Sequence, residues 1–144
     1  MNTLALHVEE LTSGRQMKKE GILFSDVAVV KMFIDGEDVE ASGCLGDDVL
    51  VYFDELEKSL SASGNYLIFT CVCGMAEDGG WEGVKVVLNE DVVTWEFEAG
   101  GRVLWFSFAR DEYASEIKSA RAMIGTTAFP LEPRKVGFPK GFQR

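Results

Sequence analysis

The stretch YLIFTCVCGMAEDGGWEGVKVVLNEDVVTW, Tyr66 to Trp95, decides the fold. It opens on an apolar run that ends in two cysteines one residue apart. A Gly-rich turn and two alternating strand patterns follow. In Val92 to Glu98 the alternation puts Val93, Trp95 and Phe97 on one face and Val92, Thr94, Glu96 and Glu98 on the other. That pattern predicts a sheet packed on one side and wet on the other. Asn89 to Asp91 and Ala99 to Gly101 are short enough to be hairpin turns. Tyr66 to Val72, Trp81 to Leu88, Val92 to Glu98 and Arg102 to Phe108 are therefore expected as antiparallel strands.

Working outward, Thr3 to Val8 alternates like a strand, and Leu11 to Gly21 reads as a polar connection. Ile22 to Ile34 is rich in Val, Ile and Phe, and Asp35-Gly36 turns it back into Glu37 to Ala41. The spacing of Val49, Tyr52, Phe53, Leu56 and Leu60 predicts a helix over Asp48 to Ser61, capped by Asp47 or Asp48 and ended by Gly64-Asn65. A second helix opens at Asp111, buries Tyr113, Ile117, Ala120 and Ile124, and stops at Gly125. Pro130, Pro133 and Pro139 with Gly137 and Gly141 make residues 126–144 an irregular tail, pinned through Phe129, Val136, Phe138 and Phe142. The expectation is an α+β fold: a mainly antiparallel, twisted sheet of five to seven strands with two helices on one face. The length of 144 residues fits a single domain, 1–144.

A net charge of −10, from 24 acids against 14 bases, argues against nucleic-acid binding, which needs clustered Lys and Arg. No basic residue lies between Lys31 and Lys58, while Asp35, Glu37, Asp38, Glu40, Asp47, Asp48, Asp54, Glu55 and Glu57 all do. Arg134, Lys135, Lys140 and Arg144 give the tail the opposite sign. An acidic patch speeds encounter with a basic partner; the plainer reading is a solvated, solubilising surface. No apolar run approaches bilayer length, and the first residues lack a secretory pattern, so a cytoplasmic location without membrane contact is expected.

The three cysteines are expected as reduced thiols, Cys44 and Cys71 as core residues. A zinc site would draw on Cys71 and Cys73, with Cys44, His7 or an oxygen of Asp78 completing it, yet alternation points Cys71 and Cys73 apart. A nucleophilic Cys73 would sit beside Glu77, Asp78 and Glu82, which raise a thiol pKa. Those carboxylates could hold a cation or form a solvated turn. A catalytic triad would have to use His7, the one histidine. No phosphate-binding fingerprint occurs, and no cofactor is expected. Trp81, Trp95, Trp105, Phe97, Phe106 and Phe108 read as sheet core, except that Trp105-Phe106 straddles both faces. An exposed aromatic beside acids would mark a protein-binding surface.

Thr70-Cys71-Val72-Cys73-Gly74, Trp81-Glu82-Gly83-Val84, Val93-Thr94-Trp95, Phe106-Ser107-Phe108 and Asp111-Glu112-Tyr113 follow one another in order. The segment Thr70 to Ile124 thereby resembles a group of small bacterial proteins whose pattern carries a further cysteine where Asp78 stands here. The resemblance implies a bacterial source and an α+β domain, and it carries no activity. By analogy, small acidic domains of this kind serve as immunity partners of secreted toxins. A non-enzymatic protein-binding module is therefore the leading expectation. A metal protein or enzyme centred on Cys71, Cys73, Glu77 and Asp78 is one alternative. A homo-oligomer joined through a sheet edge or the tail is the other.

Overall fold

The computed structural model describes residues 1–12, 17–19, 22–40, 45, 49–71, 75–76 and 80–144, with side chains left out for 17–19 and 22–24. The chain is α+β, and its sheets are antiparallel. In place of one large sheet, the strands among the described residues divide into sheets of four, three, two and two.

The four-stranded sheet has the order β11 (Arg102–Ala109), β10 (Val92–Ala99), β9 (Val84–Leu88), β7 (Gly64–Tyr66). The three-stranded sheet is β1 (Leu4–Leu11), β4 (Val27–Ile34), β5 (Glu37–Asp38). A parallel bridge, Asn2 to Phe108, joins the two. The small pairs are β2 (Met17–Lys19) with β3 (Ile22–Phe24), and β6 (Val49–Val51) with β8 (Phe69–Cys71). Helix α1 is Phe53–Lys58 and α2 is Arg110–Ile124.

The alternation read in Val92 to Glu98 is the observed one. Val93, Trp95 and Phe97 are buried, whereas Glu96 and Glu98 are exposed. Trp95 is the hub, with rings of Phe69, Phe97, Phe108 and Tyr113 around it. Its Nε1 donates to the Tyr113 hydroxyl at 3.2 Å, and that oxygen also shares a 2.6 Å hydrogen bond with Ser59 Oγ. Burial of Tyr113 pushes its pKa up to about 12. Both helices thus meet on the Trp95 side of the sheet. Arg121 of α2 ties them again by binding Glu57 of α1 at 2.8 Å and 2.9 Å.

Several boundaries differ from the sequence reading. The helix expected over Asp48 to Ser61 is a strand for Val49–Val51 and a helix only from Phe53, with Tyr52 and not an aspartate at its N-cap. All three residues of β6 are buried, which a one-sided helix would not achieve. The connection expected over Leu11 to Gly21 contains β2, and Asp26, at φ 58°, breaks the long strand into β3 and β4. The expected Tyr66 to Val72 strand splits at Leu67-Ile68, because β7 pairs with β9 while β8 pairs with β6. Gly64-Asn65 lies in β7 and does not end a helix. The Asp35-Gly36 turn is as read, with positive φ at both residues. Residues 126–144 are irregular, and bridges from Leu131 to Ala28 and from Gly137 to Met75 stitch them to the body. No helix among the described residues is long and apolar enough to cross a membrane.

Candidate functional site

The acidic run between Lys31 and Lys58 does not form one bare carboxylate face. At the β4–β5 turn, the Asp35 carboxylate accepts from Asn2 Nδ2 at 2.7 Å and from the Thr3 amide at 2.8 Å. Those bonds, the Asn2 one foremost, lower its pKa. Asp38 accepts from the Glu40 amide, and Glu40 pairs with Lys31 at 3.3 Å. Glu37 is exposed. Asp54 and Glu57 both bind Arg121. Asp47 and Asp48 lie outside the described residues.

Glu55 corrects the reading most sharply. It is fully buried and cannot present itself to a partner. Its carboxylate accepts two 3.0 Å bonds from the Arg144 guanidinium and a third from the Leu67 amide, with Lys58 Nζ at 3.5 Å. Burial of the charge requires such partners. The Leu67 bond also explains how the chain breaks between β7 and β8 without orphaning an amide in the core.

Of the metal candidates, Cys71 is buried in β8 opposite Val49. Cys44, Cys73, Glu77 and Asp78 lie outside the described residues. His7 stands on the exposed side of β1, its ring 5.0 Å from that of Phe33. Among the described residues no group of three or more His, Cys, Asp or Glu could hold an ion. Glu82 lines a cleft of about 420 Å³ with Asn65, Trp81, Lys140 and Phe142, where the tail passes the β7 edge.

The outer face of the four-stranded sheet gathers a different set. Register places Trp105 opposite Glu96, and Glu96 opposite Lys85; Val103 stands opposite Glu98. Trp105 is 67% exposed and Val103 47%, while Phe106 and Phe108 turn inward. The Trp105 indole Nε1 donates to Glu96 Oε1 at 2.8 Å. The bond fixes the ring against the sheet and leaves its face open. A large aromatic held in one orientation loses little side-chain entropy when a partner covers it. The arrangement is suited to contact and assembles no nucleophile with a base. The sequence showed that Trp105 and Phe106 face opposite ways. Pairing with Trp95 settles which is inward, since Phe106 lies directly across from that buried ring.

No protein-family model matches the chain, and neither a curated protein nor a solved structure gives a significant match.

Proposed function

We propose that this chain is a non-enzymatic protein-binding module, of the kind represented by inhibitors and toxin-immunity proteins. It engages a basic partner through the outer face of β9, β10 and β11. The observation that carries the reading is Trp105: a two-thirds-exposed indole oriented by Glu96. Tryptophan is among the residues enriched at the energetic centres of protein interfaces. The net charge of −10 draws a cationic partner toward the molecule at long range, and Glu96 and Glu98 flank the ring where it lands.

The test compares tagged wild type with Trp105→Ala in capture from extract of the source cell, with bound proteins identified by mass spectrometry. The reading expects a basic protein retained by wild type and lost by the variant. Identical captures from both, or a retained partner of acidic charge, would sink it.

A further inference from the structure

Beyond its outer face, the same sheet ends in the edge strand β11. Ser107 shows which way the β11 backbone points: its C=O accepts from the Asn2 amide at 2.7 Å and its N–H donates to Asn2 Oδ1 at 2.9 Å. Both groups face away from β10. Backbone direction alternates along a strand, so the N–H and C=O of Val103 and Trp105 face the same open side. Among the described residues, nothing pairs with β11 there beyond the Asn2 bridge.

Elsewhere in the two larger sheets, the edge strands are engaged or short. The β7 edge is covered by the tail, where Asn65 Nδ2 donates to the Gln143 carbonyl and a side chain on Gly64 would meet Arg144. On β1, the Leu6 amide is taken by Glu116 Oε1 at 2.7 Å. Strand β5 is only two residues long. Proteins shield edges with charge, proline, brevity or a cover. In a chain with 24 acids, β11 carries none; its sequence is RVLWFSFA, with Arg102 as the single charge.

We infer that a second copy of this chain covers the edge, β11 pairing antiparallel with β11 about a two-fold axis at Leu104. Val103 of each copy then stands opposite Trp105 of the other, Leu104 opposite Leu104, and Arg102 opposite Phe106. The open backbone groups of Val103 and Trp105 meet their counterparts in register. Each cross-strand pair is apolar or sets a cation against an aromatic ring. A basic peptide fits this edge less well, because the edge has no acid to read it. The two outer faces join into one eight-stranded surface. The inference stands on the backbone edge and not on the charge of the face, so it can fail separately from the proposed function.

Light scattering on size-exclusion eluate of the full chain tests it, with Val103→Pro and Trp105→Lys alongside. Proline at 103 deletes only an edge-facing N–H, since the ladder to β10 uses residues 102, 104, 106 and 108; Trp105 is exposed enough to replace. Wild type should show twice the 15.9 kDa chain mass, more completely at high salt, which screens the like charge of two copies. Each variant should keep its circular dichroism and dissociate about tenfold or more readily. A 15.9 kDa wild type at every concentration and salt overturns the pairing. So does a dimer that survives Val103→Pro unweakened, because the contact would then not run through the edge backbone. A monomer that still captures its partner through Trp105 ends this inference alone.

Discussion

Removing Arg144 should reach the core although the residue lies 89 positions from Glu55 in sequence. Its guanidinium is the main counter-charge of Glu55, whose side chain is only 1% exposed. Stripping one partner from a buried ion pair costs roughly 3–5 kcal/mol, because the remaining charge is left uncompensated. Here the Arg144 side chain is 42% exposed, so water can take up part of its place, and Lys58 and the Leu67 amide stay. Against that, Arg144→Ala also loses the stacking of the cation over Tyr66 at 4.8 Å. About 2–4 kcal/mol is expected, a large part of a typical domain's stability. Glu55→Gln keeps an oxygen for Leu67 and releases Arg144 to solvent, so it should cost less. Urea unfolding of both single variants and the double variant gives the coupling, expected at about 1–3 kcal/mol. Additive single effects, or an Arg144→Ala loss under about 0.5 kcal/mol, would refute the view that this pair locks the tail to the β7–β8 break.

Tyr113→Phe leaves the buried Trp95 N–H and Ser59 hydroxyl without their shared partner and should cost about 1–3 kcal/mol in the same assay. Because folding raises the Tyr113 pKa to about 12 from 10, the folded state holds its proton longer. Wild-type stability should therefore fall between pH 10 and pH 12, and the difference from Tyr113→Phe should shrink by about 2–3 kcal/mol across that window; a constant difference would contradict the assignment. Asp35 has its pKa lowered below 3.8, so its contribution is present above that value and lost as pH falls through the folded pKa. Asp35→Asn should flatten the acid limb of the stability profile, and an unchanged limb counts against the Asn2–Thr3 brace. Trp105→Ala should shift stability by no more than about 0.5 kcal/mol, while Trp95→Ala should cost about 3–5 kcal/mol; thermal unfolding separates the two.

Much of this was legible in local pattern. The two-residue period of Val92 to Glu98 placed Trp95 inward, and the Asp35-Gly36 pair announced its turn. The helix from Asp111 showed its buried stripe through Tyr113, Ile117 and Ala120. Local pattern failed where a distant group decided the outcome. Val49–Val51 fits a helical stripe until Phe69–Cys71 arrives as its strand partner. Glu55 counted as one more surface acid because its counter-ion, Arg144, lies 89 residues away. Trp105 was legible as facing away from Phe106, but only the register, with Trp105 across from Glu96 and Val103 across from Glu98, shows that it stands on the wet face.

The most direct test of a contact role is the association of the captured partner, once purified, with wild type and Trp105→Ala across a range of ionic strength. The account predicts a wild-type on-rate that falls as salt rises, and a dissociation constant weakened about thirtyfold or more by the substitution. A rate indifferent to salt together with equal affinity for the variant would contradict it.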